Sequence, residues 1–147
     1  MSSKSQTARE NEEFVREMSN AIWGADGSPD AVEEYMAEDF VSHEPGQTIE
    51  GREAYREFEA ELRSAMPDLE GSLDFIVAED DKVVARYTAT GTHLGELWGI
   101  EPTRATGEVT GTTIYRIEDG KATECWHEYD RLGMMQQLGV IPENPTA

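Results

Sequence analysis

ECWHEYDRLGMMQQLG, residues 124–139, passes from a strand pattern into a helix pattern. Glu124, Trp126, Glu128 and Asp130 alternate with Cys125, His127 and Tyr129, so an extended chain sends the first set to one face and the second to the other. Beyond Asp130, Leu132, Met135 and Leu138 recur at helical spacing, and Gly139 is placed to end the helix ahead of Pro142. Asp130 therefore stands where a strand hands over to a helix, and element ends are where functional carboxylates concentrate.

Working upstream, Asp119-Gly120 is a two-residue hairpin signal joining this strand to VTGTTIYRI (109–117), so the two are antiparallel neighbours. The loop LGELWGIEPTRATGE (94–108) separates that strand from VVARYTATGTH (83–93). Before the acidic turn AEDD (78–81), Leu69, Leu73, Phe75 and Val77 alternate along one further strand. The first half has a different period. Residues 8–23 gather Phe14, Val15, Met18 and Ile22 on one side ahead of Gly24. Ser28-Pro29 opens a second helix with Val32, Tyr35 and Met36 on its stripe, ending near Asp39. Phe40 and Val41 then lead into a short extended piece with His43. Residues 51–66 carry Tyr55, Phe58, Leu62 and Ala65 or Met66 on one face and close at Pro67.

Helices first and hairpin-linked strands afterwards predict an α+β fold, in which a cone-shaped, curved antiparallel sheet wraps around the N-terminal helices. A blind pocket between sheet and helices follows. Gly91 and Gly111 fall inside strands, where bulges would bend the sheet.

The chain has 147 residues, the size of one domain, and is expected to fold as one over 1–147, with frayed ends at about 1–7 and 142–147. Acidic residues outnumber basic ones 31 to 12, for a net charge of −19, which argues against a nucleic-acid partner. The acids are spread through every element, as on a solvated surface adapted to a high-salt, halophilic cytoplasm. No apolar run approaches the roughly 18 residues of a membrane span, and MSSKSQTARENEE is too polar for a signal peptide. A soluble, cytoplasmic protein without a membrane partner is the expectation. Cys125 is the only cysteine, so no intrachain disulfide forms, and it reads as a small buried hydrophobe.

Three segments, GREAYREFEAELRSAMPDL (51–69), GTHLGELWGIEPT (91–103) and YRIEDGKATECWHEYDRLGMMQQLGV (115–140), resemble the SnoaL-like polyketide cyclases. These are also called predicted ester cyclases, within the nuclear transport factor 2-like superfamily. The resemblance runs from about Glu12 to Val140. It implies a cone-shaped, cystatin-like α+β barrel, no cofactor or metal, and closure of a polyketide ester ring by intramolecular aldol condensation. The family's acid/base aspartate corresponds to Asp130. Two departures, Pro102-Thr103-Arg104 and the bulky Trp98 before Gly99, alter the mouth of the pocket.

On the residues alone, Glu124, Trp126 and Asp130 share a strand face. If that face lines the pocket, desolvation by Trp126 and mutual repulsion raise the most buried acid from its reference pKa of ~3.9. Asp130 is the candidate acid/base. His93 is the favoured donor to an enolate oxygen, ahead of His43 and Arg86, with Arg116 in reserve. Arg86 and His93 share a face only if a bulge, at Gly91, shifts the register. Trp126, Tyr87, Trp98 and Leu97 shape an apolar cavity, and Glu124, on the same face as Asp130, joins the substrate-binding set. No metal site is expected, because His43, His93 and His127 lie on separate elements without ligand spacing. His127, on the face opposite Asp130, reads as structural.

Two functions fit. One is a cofactor-free cyclase- or isomerase-type enzyme acting on a small to medium hydrophobic carbonyl compound. The other is a non-catalytic ligand-binding or dimerising module of the same fold. A sheet face left bare by the helices also predicts a homodimer or higher homo-oligomer.

Overall fold

The computed structural model describes residues 5–142 and residue 144. Its first helix, α1 (Gln6–Trp23), is capped by Ser5, whose hydroxyl accepts from the amide of Ala8 at 3.0 Å. Of the ends expected to fray, at about 1–7 and 142–147, residues 1–4, 143 and 145–147 lie outside the described residues. Val15, Met18 and Ile22 turn the predicted stripe inward and are at most 1% exposed.

A single 3-10 turn (Pro29–Ala31), with Ser28 as its cap, leads into a short helix, α2 (Val32–Tyr35). Helical spacing carried this helix to Asp39, but the chain turns to strand at Met36, where β1 (Met36–Glu44) pairs with the distant sixth strand. Tertiary pairing overrides local propensity here. The hairpin strand β2 (Gln47–Glu50) follows, then α3 (Arg52–Ala65), whose carbonyl of Leu62 takes the amide of Met66 just before Pro67. Strands β3 (Glu70–Glu79), β4 (Lys82–Thr92), β5 (Thr106–Glu118) and β6 (Lys121–Tyr129) then run as successive hairpins, and α4 (Arg131–Gln137) closes the chain. The β5–β6 turn puts Asp119 and Gly120 at φ +50° and +76°, as a type I′ hairpin needs.

The α+β class stands, with four helices against one curved sheet. The strand order is β2-β1-β6-β5-β4-β3, so β2 and β3 remain edges and the sheet does not close into a barrel. Nor is it wholly antiparallel: β1 lies parallel to β6, because the chain reaches β6 by a long crossover rather than a hairpin.

The bends are not at Gly91 or Gly111. The β4–β5 ladder runs unbroken from Lys82↔Arg116 to Thr92↔Thr106. Register instead shifts at Asp74, where Leu73 pairs with Tyr87 but Phe75 with Arg86, and at Thr123. The Asp74 bulge reverses strand parity: Leu73 stays inside, Ile76 and Ala78 follow it into the core, and Phe75 and Val77 turn out, each 56% exposed. The two glycines make room. A Cβ on Gly91 would meet Met66 Sδ at 2.9 Å, and one on Gly111 would meet the hydroxyl of Tyr87 at 2.5 Å.

Two apolar clusters hold the fold. The larger packs α1 and α3 on the sheet around Phe40, whose complete burial contributes about 1.5–3 kcal/mol. The smaller joins the end of α3 to α4 through Met66, Leu97, Met134 and Leu138. Between them lies the cavity.

Candidate functional site

The cavity has a volume of about 120 Å³ and walls drawn from α1, α3, the inner face of the sheet and α4. Most of that wall is apolar: Leu62, Met66, Leu69, Leu73, Val109 and Met134 among others. An apolar cavity of roughly 150 Å³ admits one benzene ring, so this one takes a ring-sized fragment. Trp98 closes one side from a tight turn in which Leu97 and Ile100 exchange backbone hydrogen bonds at 3.0 and 2.8 Å. Trp98 itself sits at φ +51°, a rare conformation for a bulky residue, and the guanidinium of Arg131 stacks on its ring at 4.5 Å.

On β6 the face that reaches the cavity is Cys125, His127 and Tyr129. The opposite set, expected to line it, does not. Glu124 and Trp126 lie on the outer face, in a surface cluster with Arg116 and His43. There Glu124 accepts from Arg116 Nη1 at 2.6 Å and meets His43 Nε2 at 2.6 Å, while His43 stacks on Trp126 at 5.5 Å. Arg116 also lies over the Trp126 ring, 5.2 Å from its centroid. Asp130 is exposed and caps α4, its Oδ1 accepting from the amide of Gly133 at 2.9 Å. It lines no part of the cavity, and neither does Trp126. The physical reason is cross-strand pairing: the hairpin sets Arg116 opposite Glu124, and such an ion pair belongs on the wet face.

Arg86 likewise turns outward, beside Phe75 and Thr112 in register, and no bulge brings it in. His93 follows the inward parity but is sealed in the structure rather than in the cavity. It is fully buried, its Nδ1 accepts from the amide of Thr103 at 3.2 Å, and its backbone pairs with Arg104 and Ala105 to tie down the 94–105 loop. Of the expected substrate-binding residues, Tyr87 and Trp98 line the cavity, and His43, Trp126, Glu124 and Arg86 do not.

The polar centre joins Tyr87, expected in the cavity wall, to His127, which read as structural, and to Glu44, which the sequence left unassigned. His127 Nδ1 and Glu44 Oε1 are 2.7 Å apart, and His127 Nε2 meets the hydroxyl of Tyr87 at 2.6 Å. Glu44, its side chain 3% exposed, also accepts from Ser42 at 2.5 Å, and the Ser42 oxygen lies 3.2 Å from Cys125 Sγ. Two carboxylate bonds fix the direction of the others. Glu44 accepts, so His127 donates from Nδ1, leaving Nε2 to accept from Tyr87.

A second carboxyl faces the same space from α3. Glu59 is buried, and its Oε2 accepts from the indole nitrogen of Trp23 at 2.9 Å. Burial raises its pKa and Glu44 adds repulsion, while hydrogen bonds from Trp23 and Tyr55 and the nearby His127 oppose this only in part. Burial also raises the phenols of Tyr87, Tyr55 and Tyr115 and pushes the Cys125 thiol up to about 12, so these groups rest in their neutral forms. Among the described residues no three His, Cys, Asp or Glu side chains gather where they could hold a metal ion. Among the described residues no helix is long and apolar enough to cross a membrane.

Alternation alone leaves open which face of β6 is inside. The available signal was on the neighbouring strands: Ala85, Tyr87 and Ala89 on β4, and Thr113 and Tyr115 on β5, share the face of Cys125 and His127. Glu44 and Glu59 carried no such signal, being single acids inside acidic segments.

A SnoaL-like polyketide cyclase family model matches residues 13–138. No curated protein sequence matches significantly. Among solved structures, one assigned as a SnoaL-like polyketide cyclase from Jannaschia sp. CCS1 superposes with a TM-score of 0.87 at 29% identity, covering 97% of this chain and 100% of that one. AclR from Streptomyces galilaeus, assigned as a hydroxylase, superposes at 0.81 with 26% identity, covering 95% and 87%. A ketosteroid isomerase-like protein from Catenulispora acidiphila DSM 44928 shares the fold at 0.73 and 19% identity, covering 87% and 93%. The match over most of its length, on this fold, makes the chain a member of the SnoaL-like polyketide cyclase family.

Proposed function

We propose that the protein is a cofactor-independent cyclase or isomerase for a hydrophobic, polyketide-like carbonyl compound, with His127 as its acid/base in place of Asp130. The observation that carries this reading is the Glu44–His127–Tyr87 chain at the polar end of an otherwise apolar cavity. Glu44 fixes the tautomer and orientation of the imidazole and offsets the positive charge it gains on protonation.

Tyr87 stands between His127 and the substrate. Its raised pKa disfavours a resting phenolate, so it passes one proton to His127 Nε2 as it receives another from the substrate's α-carbon. The products of that step are an enolate and an imidazolium held by Glu44. In ring closure the enolate carbon attacks a second carbonyl of the same chain, one carbon–carbon bond forms, and the resulting alkoxide takes the proton back by the same path. Proton relay of this kind contributes about 10²–10⁴-fold; the cavity adds the folding of the chain into a reactive shape.

The test is solvent-deuterium incorporation at the α-carbon of a phenyl-substituted β-keto ester. Wild type accelerates exchange, and Tyr87→Phe and His127→Ala lose most of it; full exchange in both variants would refute the relay.

The outer sheet face supports self-association. Phe75 and Val77 are each 56% exposed on it. A homodimer through this face predicts a dimer in sedimentation at high salt and a monomer for Val77→Arg; a wild-type monomer would refute it. The even spread of acids supports a soluble, cytoplasmic protein of a high-salt cell.

A further inference from the structure

The relay accounts for His127, Tyr87 and Glu44 but leaves Glu59 without a task. Its position is unusual for an acid: it sits on the buried side of α3, 6% exposed, on the helix wall of the cavity facing the sheet wall that carries His127. Trp23 holds one carboxyl oxygen, Oε2, and Tyr55 on the same helix also hydrogen-bonds the group, so its orientation is fixed. The titratable groups facing this space are Tyr55 on α3, Glu44 on β1, Tyr87 on β4, Tyr115 on β5, and Cys125, His127 and Tyr129 on β6. Among the described residues no lysine or arginine lines it. Two carboxyls share an apolar enclosure with one imidazole, and that imidazole is bonded to Glu44. Ionising both acids would leave one buried charge without a partner.

From this geometry we infer that Glu59 is a substrate-binding residue, a neutral carboxylic acid whose hydroxyl donates a hydrogen bond to a carbonyl or enolate oxygen in the cavity. Oε2 acts as its carbonyl oxygen, accepting from Trp23, while the proton rides on Oε1. The direction of the Glu59 pKa shift agrees. A donor there supplies what the Glu44–His127–Tyr87 chain lacks, since Tyr87 is engaged with His127. The inference deepens the proposed function by placing the oxygen of the ligand against α3 and its acidic carbon toward Tyr87 on β4. It rests on the cavity being a ligand site and not on turnover.

Carbonyl-labelled acetophenone, a single aromatic ring bearing the carbonyl, tests it by infrared spectroscopy and titration. In wild type the bound C=O stretch moves to lower frequency than in hexane, and affinity falls as pH rises through the ionisation of Glu59. Glu59→Gln, which keeps shape and neutrality, retains a smaller downshift and binds independently of pH. Glu59→Leu loses the downshift and binds roughly tenfold more weakly. A Leu variant that keeps the wild-type downshift, or a wild type that does not bind the ketone, would overturn the inference. Should Glu59→Leu fail to fold, a Gln variant with the full pH dependence of wild type overturns it equally. His127→Ala separates the two readings. Full exchange in that variant with the downshift intact refutes the relay alone; lost exchange in it beside a wild type that shows no downshift refutes the Glu59 donor alone.

Discussion

Gly111→Ala puts the inward packing of Tyr87 to the test. The new Cβ would lie 2.5, 2.6 and 2.7 Å from Oη, Cζ and Cε1 of Tyr87, where carbon contacts relax at about 3.5–4.0 Å. About 1 Å of movement is needed, and residue 111 cannot supply it, because it is paired to Tyr87 on one side and Tyr129 on the other. Overpacking of this sort costs about 1–3 kcal/mol, and pulling Tyr87 off His127 adds about 1. Replacing a strand glycine by alanine returns about 0.5–1. The net loss is about 2 kcal/mol, or a Tm lower by about 4–8 °C for a chain of this size. Urea unfolding followed by circular dichroism measures it in two backgrounds. In wild type the substitution destabilises; with Tyr87→Ala already present it is neutral or stabilising, giving a coupling energy of about 2 kcal/mol. Equal costs in the two backgrounds would show that Tyr87 does not cross Gly111. Gly91→Ala is the control: its nearest neighbour is the mobile Sδ of Met66, so it costs under about 1.5 kcal/mol.

Two further outcomes follow from charge. The folded pKa of Glu59 is raised, so the stability it allows is fully present below its unfolded pKa and is lost as pH rises through the folded value. Glu59→Gln stays neutral throughout and should therefore gain stability on wild type as pH rises above the unfolded pKa of a glutamate, about 4.3; a parallel pH dependence of the two unfolding midpoints would contradict this. With a net charge of −19, Tm should rise from 0.1 to 1 M KCl as the screening length falls from about 10 to about 3 Å, and a flat or falling Tm would contradict self-repulsion as a destabilising force.

Much of this molecule is legible in its sequence. The stripes at Val15, Met18 and Ile22 and at Tyr55 and Leu62, with the Asp119-Gly120 turn, lead to the right elements and class, since local period and turn chemistry dictate them. What fails is parity across distance. The bulge at Asp74 inverts Phe75 and Val77, and no residue type announces it. Met36 leaves its helical stripe for β1 because a strand more than 80 residues away pairs with it. On β6 the two faces are equally periodic, and the concentration of carboxylates drew attention to the wet one. His127 and Glu44 become visible as a pair only once β1 lies beside β6, a parallel contact that hairpin reasoning does not reach. The small hydroxyls and apolar side chains around Cys125, not the acids around Trp126, mark the inner wall.

Asp130 and His127 are three residues apart in sequence, yet one caps a helix in solvent and the other faces the cavity. Measuring the initial rate of α-carbon deuterium exchange in His127→Ala and Asp130→Asn side by side is the most direct test of the account. His127→Ala should lose about 10²–10⁴-fold, and Asp130→Asn should keep the wild-type rate while losing no more than the roughly 1 kcal/mol of a weakened helix cap. A silent Asp130→Asn enzyme beside an active His127→Ala would contradict it.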